Sequence, residues 1–448
     1  MAYPSILLLR NDLAITRFPG EFHFNTGPLA VIARLPHSAK AVGSMTGRTC
    51  DIAIVGGGLS GGLIALALAR HRPDITVRLI EAGPAIGGNH RWSWFASDLS
   101  PDGTSLMEGF RKAKWDDGYH VRFPGYRRKL RGAYRSLASE DFAARLQREL
   151  ADDAILTGAE VAKLDAGSVT LRDGAIITAR TVIDCRGFAT TGDLTGGWQV
   201  FMGRHLRTAE PHGIARPVIM DAAVDQLAPS GNGGAYRFVY VLPLGAHDLF
   251  IEDTYYADKP TLDRSALSGR IDQYCHAIGI KGEPVGFETG VLPVITGGDF
   301  GAYTEAHRTP GVVLAGARAG LVHPLTSYTL PIAVRVALSI AEDADLPGEQ
   351  LAAKIEAEAR RHWKRMGFYR LLGTMLFGAA DPAQRYRIFS RFYRLREGLI
   401  ERFYAGTSRF TDKLRVLAGK PPVPVRRAIS AILSESPPLL DPTRKTPQ

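Results

Sequence analysis

The stretch from Cys50 to Ala82, CDIAIVGGGLSGGLIALALARHRPDITVRLIEA, constrains the fold of this chain more than any other. An apolar strand predicted over 51–55 runs directly into Gly56, Gly57 and Gly58, and Gly61 completes G-x-G-x-x-G. A small-residue helix and a second strand, predicted over 75–80, follow, and Glu81 closes that strand twenty residues past Gly61. This order marks a dinucleotide-binding βαβ unit. Its first glycine permits a tight turn, its second lets backbone reach a pyrophosphate, and its third brings helix close to strand. Helix-end amides then bind phosphate, and Glu81 accepts bonds from ribose hydroxyls. In a chain with 48 glycines the pattern alone would say little; its place between strand and helix carries the reading.

The uncharged run Ile52–Ala69 reaches 18 residues, the lower edge of a membrane span, but it contains five glycines, three of them at a strand-to-helix turn. No transmembrane helix is therefore expected, and the protein reads as soluble or peripheral. At 448 residues the chain exceeds a single core, so two or three lobes are expected. Cys50, Cys185 and Cys275 are far apart and form no CxxC pair, which argues against a disulfide scaffold, a zinc site and a redox dithiol and suits a reducing cytoplasm.

The net charge of +10 is concentrated at one end, because the residues from Glu349 onward hold 20 Lys and Arg against 9 Asp and Glu. There, arginines alternate with aromatics in basic helices expected to end near Pro421–Pro424. No nucleic-acid module is present, so nucleic acid is not an expected partner. Basic helices carrying Trp363, Phe368, Phe389 and Phe392 suit an anionic membrane surface, and equally a plain solvated basic face.

Three pieces of the dinucleotide lobe are readable: the first strand, a strand–turn–strand pattern near Val161–Ile183, and the run Gly311–Gly320 followed by a helix from Leu330. The expected fold class is α/β, a Rossmann-type FAD-binding lobe of glutathione-reductase-like flavoprotein kind with an inserted β-rich substrate domain and a C-terminal helical lobe. The expected division is a discontinuous FAD-binding domain over 45–95, 140–200 and 300–345, a substrate domain over 96–139 and 201–299, and a basic helical region over 346–448. Residues 1–44 show no periodicity and are expected to be an unstructured or non-native extension, with Met45 the natural start. No second G-x-G-x-x-G follows a strand, so one tightly held dinucleotide, most simply FAD, is expected, with NAD(P)H only an external reductant.

Further motifs carry a family resemblance. Phe250-Ile251-Glu252-Asp253-Thr254 resembles the F-[LI]-E-[DE]-T signature of lycopene cyclases, and Gly87-Gly88-Asn89-His90-Arg91-Trp92-Ser93 resembles the GGNHTWS of the bacterial carotenoid-pathway β-cyclases. Gly197–Gly203, Pro217–Gln226, Tyr236–Leu244, Arg318–Pro324 and Arg402–Pro424 are similar to the same family, so the resemblance covers about Cys50 to Ile432. Where that family has H-P-T-T-G-Y-S-L-P, this chain departs at Leu325, Ser327 and Thr329.

The resemblance implies a redox-neutral isomerisation in which each acyclic ψ-end of lycopene becomes a β-ionone ring, through γ-carotene to β-carotene, with FAD required in its reduced form. It implies lycopene and related acyclic carotenoids as substrates, a peripheral place at the cytoplasmic face of the inner membrane, and other carotenoid-pathway enzymes as potential partners. An FAD-dependent monooxygenase acting on a hydrophobic isoprenoid is the alternative, and a non-enzymatic carotenoid carrier a further one.

Such a cyclisation needs an acid for the terminal alkene and a base for the new ring, and Glu252 and Asp253 are the candidate catalytic carboxylates. Successive strand residues face opposite sides, so only one can enter the pocket; the family signature puts the weight on Glu252, with Asp253 structural. Glu252 must be kept protonated by burial. Tyr236, Phe238 and Tyr240 share one strand face, as do Trp92 and Trp94, and can meet a cation with their rings or simply pack in a core. Gly56, Gly57, Gly58, Gly61, Glu81, Gly88, His90, Arg186, Gly316 and Gly320 are assigned to cofactor binding, and Trp92, Tyr236, Phe238, His323 and Tyr328 to substrate. For His90 and His323 a purely structural reading stands beside the functional one.

Overall fold

The computed structural model describes residues 48–226, 235–418, 425–434 and 436–440. The expectations for residues 1–44 and for the helix end near Pro421–Pro424 fall outside them. The described chain opens with β1 (Arg48–Val55), α1 (Leu59–His71) and β2 (Val77–Ile80), then leaves for β3 (Arg91–Phe95), α2 (Pro101–Leu106), β4 (Ala113–Trp115), β5 (Tyr119–Phe123), β6 (Tyr126–Leu130) and β7 (Tyr134–Ala138). Helix α3 (Ser139–Glu149) returns it to β8 (Ile155–Leu156), β9 (Val161–Leu164), β10 (Ser168–Leu171) and β11 (Ile176–Asp184). A second excursion runs through β12 (Thr191–Arg207), β13 (Val218–Asp221), β14 (Tyr236–Pro243), β15 (Asp248–Ala257), α4 (Arg264–Ala277) and β16 (Glu283–Gly298). The chain comes back through α5 (Phe300–His307), β17 (Val313–Leu314) and α6 (Leu330–Glu342). It then continues as α7 (Gly348–Arg365), α8 (Gly367–Gly378), α9 (Tyr386–Phe392), α10 (Glu397–Tyr404), α11 (Phe410–Leu417), α12 (Val425–Leu433) and the short β18 (Pro438–Leu439).

The first sheet has the order β8-β2-β1-β11-β10-β9 with β17 beside β11. Its parallel heart is β2, β1 and β11. Ile52, Ala53 and Ile54 of β1 are fully buried, as an unbroken apolar run requires in a strand covered on both faces. Helices α1 and α6 share one apolar core with it, which includes Leu63, Leu66, Val334 and Ala337.

The second sheet, β16-β12-β15-β14-β13-β5-β6, is larger, and β3, β7 and β4 form a third. Strand β12 belongs to the second sheet from Thr191 onward, so the boundary expected at 200 cuts through one continuous strand. Its partner β15 pairs with it from Trp198 to Arg207, and ladder hydrogen bonds do not break where sequence composition changes. One face of this sheet packs on α4, and the other meets the helices after α6 around Tyr236, Tyr256, Phe377 and Phe389. Among the described residues no helix is long and apolar enough to cross a membrane.

Candidate active site

The glycine turn forms a cradle at the carboxyl ends of β1 and β11. Gly56 has φ of +104°, and a side chain there would meet the carbonyl oxygen of Cys185 at 2.6 Å. At Gly61 a Cβ would fall 2.0 Å from the Gly56 carbonyl oxygen, and at Gly57 it would strike Ile86 at 2.6 Å, so both are packing requirements. Gly58, the N-cap of α1, differs: a Cβ there would meet nothing within 4 Å. The space it leaves lies before a helix N-terminus with no acidic residue in its first turn, where unpaired amides and the helix dipole favour an anion. The Glu81 carboxylate accepts from the N–H of Gly57 at 2.7 Å and of Gly83 at 2.7 Å, and so fixes the loop. Gly316, at φ +61°, abuts Ser60 of α1.

Arg186, expected at the cofactor, forks onto Asp184 at 2.9 and 2.7 Å, the carboxylate two residues earlier. Arg318 Nε stands 3.5 Å from the same carboxylate and makes no hydrogen bond. Gly320 turns the chain after a 3-10 segment against Phe300, and Gly88 is exposed beside His90.

The register of the second sheet builds the acid pocket. Gly203 of β12 pairs on one side with Glu252 and on the other with Glu288, while Glu252 pairs in turn with Tyr240 of β14. Directly paired residues share a sheet face, so Glu288, Gly203, Glu252 and Tyr240 form one row. The next rows on this face hold Phe201 and Phe238, then Leu292, Gln199 and Tyr256. Both carboxyls line a cavity of about 240 Å³ with His90, Arg91, Trp92, Tyr134 and Tyr328. Glu252 is half-buried, its exposed surface being the cavity wall; burial pushes its carboxyl up to about 7 against the pull of Thr254 Oγ1, which donates to it at 2.8 Å. Glu288 is 5% exposed and is also pushed well up, by burial first and by the like charge of Glu252 second. The Arg91 guanidinium, 5.4 Å over the Phe250 ring, is the nearby cation.

Asp253 is on the far face. It is fully buried and held by Arg237 at 2.6 to 3.0 Å, so its place among the catalytic candidates is corrected: alternation along β15 turns it from the cavity toward the α4 core.

A second, apolar cavity of about 280 Å³ adjoins the first, sharing Gln199, Tyr240, Thr326 and Tyr328 with it, and runs between the sheet and helices α8 to α12. Phe238 lines it. Tyr236 does not; its ring is stacked beneath Phe389 at 4.3 Å, which corrects its assignment to substrate. His323 also faces neither of these cavities. Its Nδ1 accepts from the Thr326 N–H at 3.3 Å and its Nε2 reaches the Phe403 carbonyl at 3.3 Å, so the ring braces the loop 323–329 from behind, neutral, with burial pushing it down to about 3. Tyr328 enters both cavities and bonds the Tyr134 hydroxyl at 2.9 Å. In the same loop Ser327 takes φ of +55°, and its Oγ donates to the Pro293 carbonyl at 2.8 Å. A left-handed non-glycine residue costs about 1–2 kcal/mol, which this bond offsets in part.

Glu288 was not visible from local sequence. It lies in FETG with no acid beside it, and only the pairing of β12 with both β15 and β16 brings it to Glu252.

Comparison with known proteins agrees with this architecture. Among solved structures, p-nitrophenol 4-monooxygenase from Pseudomonas putida superposes with a TM-score of 0.55 at 17% identity, covering 81% of this chain and 100% of that one. A flavin-dependent halogenase from Xanthomonas campestris gives 0.52 at 12%, covering 88% and 99%. Both share the Rossmann-type flavoprotein α/β fold. In sequence, the chain is 42% identical to the lycopene beta-cyclase of Pseudescherichia vulneris, over 86% of this chain and 98% of that protein. It is also 42% identical to that of a Paracoccus strain, over 86% and 97%. The family model described as lycopene cyclase protein matches residues 51–430, and this chain therefore belongs to the lycopene cyclase family.

Proposed function

We propose that this protein is a lycopene β-cyclase that converts each ψ-end of lycopene to a β-ionone ring, with Glu252 as the acid. The observation that carries the reading is the carboxyl of Glu252 at the polar end of a long apolar cavity, where burial pushes it up to about 7. A hydrocarbon fits the apolar part, where Met220, Phe238, Leu372 and Leu376 offer no polar group it must displace.

The residues perform the following steps. Glu252 gives its proton to the terminal alkene, and the neighbouring double bond attacks the cation and closes the ring. A proton then leaves the ring for the carboxylate so formed, so no electrons are gained or lost. The rings of Trp92, Tyr134, Tyr240 and Tyr328 line the cavity and present π faces to positive charge, a contact of up to about 2 kcal/mol when dry. The cradle at Gly56–Gly61 fits a dinucleotide, since Gly58 leaves room where a side chain would stand, and the buried Arg318 Nε makes no hydrogen bond although it lies 3.5 Å from Asp184. FAD held there in its reduced, anionic form, with NAD(P)H as external reductant, would supply negative charge to a cationic intermediate without net redox change. Helix α6 has no acid in its first turn and its first residue, Leu330, lines the acid pocket, so its dipole favours an anion at that end.

The substrate is a bilayer solute, and the apolar cavity reaches Leu417 of α11 and Ile429 of α12. Phe410, Leu414 and Leu417 stand exposed at helical spacing on α11, and Ile429, Ile432 and Leu433 do so on α12. Arg415, Arg426 and Arg427 are on the same helices, a combination that supports peripheral contact with an anionic membrane surface.

Expression in a lycopene-accumulating host followed by pigment analysis tests the reading. Cyclic carotenes are expected; unchanged lycopene with folded, flavin-loaded protein would defeat it.

A further inference from the structure

Glu252 and Glu288 face each other across a gap in the sheet. The two glutamates stand on strands that are not neighbours, on either side of β12, and strands two apart are separated by about 9–10 Å. Gly203 fills the place between them without a side chain. A Cβ at that position would lie 3.1 Å from Glu288 Cγ and 2.2 Å from the Phe250 ring, so only glycine lets the carboxyl groups meet over the central strand. Both carboxyls line the same cavity on one face of the sheet, and a hydrogen bond between two carboxyls requires a proton on at least one.

We propose that Glu288 is a positioning residue that, itself protonated, donates a hydrogen bond to Glu252 across Gly203 and stabilises the carboxylate that Glu252 becomes when it gives its proton to the alkene. Both line the cavity, but Glu288, 5% exposed, is more enclosed than the half-buried Glu252 and is assigned the firmer hold on its proton. The proton on Glu288 stays on Glu288; the one that moves goes from Glu252 to the terminal carbon and returns from the ring. The neutral donor thus strengthens a weak acid without placing a second negative charge beside it. Other groups facing the pair are Arg91 from β3 and Glu140 from α3, with Tyr134 from β7 and Tyr240 from β14 turned to Glu252. His90 stands at the cavity wall, and Asp253 lies behind the strand. None of them bridges the two strands as Glu288 does.

The role assumes the cyclase reading, and the test separates the two. In the full-length flavin-loaded protein, infrared difference spectra against pH read the carboxylic C=O band without turnover, and Glu252→Gln identifies which band is Glu252. In Glu288→Leu the Glu252 band should persist to higher pH than in the wild type, and cyclisation of lycopene in liposomes should fall by about tenfold or more, the equivalent of one hydrogen bond to a charged group. Glu288→Gln keeps a neutral donor and should hold both the band and the upper limb of the pH–rate profile close to wild type. If the Glu252 titration instead moves to lower pH in Glu288→Gln, Glu288 is ionised and acts by repulsion, and the proposal is overturned. If the spectra behave as expected while even the wild type leaves lycopene unchanged, the cyclase reading fails and the carboxyl pair stands.

Discussion

Glu252 and Asp253 are consecutive in the chain and face opposite sides of one strand, Glu252 toward the cavity and Asp253 into the grip of Arg237, 2.6 Å away in the core beneath. Their substitutions should therefore fail in different ways. Glu252→Gln keeps shape and hydrogen bonding but has no proton to exchange, so ring formation should be lost while folding and flavin retention persist. Asp253→Asn leaves the Arg237 guanidinium buried without its charge partner and should cost on the order of 3 kcal/mol of stability, read as a lowered melting temperature. Near wild-type cyclisation by Glu252→Gln would refute the assignment.

The Glu252 carboxyl also sets a pH dependence. Its folded value of about 7 lies above the ordinary glutamate value of about 4.3, so the folded protein holds a proton that the unfolded chain has lost between them. Its contribution to stability is full below the lower value and is lost as pH rises through the upper one. Thermal unfolding of wild type and Glu252→Gln should coincide near pH 4, and the variant should be the more heat-stable above pH 7. Cyclisation by the wild type should fall over the same upper range, as the acid ionises.

At Gly58 an added side chain meets open space, so Gly58→Val should fold yet lose cofactor, the isopropyl group occupying the path of the pyrophosphate. Flavin absorbance of the purified variant against its circular dichroism checks this. Equal flavin occupancy would show that the cradle lies elsewhere.

The exposed faces of α11 and α12 should carry membrane contact. Sedimentation with liposomes should require anionic lipid and weaken in 1 M salt, where screening shortens to about 3 Å. Replacing Phe410 and Leu414 by serine should reduce binding at every salt concentration, since both side chains are more than half exposed and apolar. Binding indifferent to these changes would move the contact to another surface.

Local sequence determined the parts of this protein that obey a short period. The glycine turn, the helix after it and Glu81 follow from steric demands within thirty residues, and the opposite directions of Glu252 and Asp253 follow from the two-residue repeat of a strand. Tertiary structure alone decided what those residues meet. Tyr236 has the same strand period as Phe238 but ends beneath Phe389, because α9 covers one end of β14. His323 sits in a motif that reads equally as substrate-binding or structural, and its ring nitrogens are spent on the backbone at Thr326 and Phe403. Glu288 lies 36 residues from Glu252 and reaches it only because β12 accepts β15 on one edge and β16 on the other in a register that puts Gly203 between them. A strand's own residues fix which way each side chain points; its partners and register come from burial summed over the whole sheet, which no local segment carries.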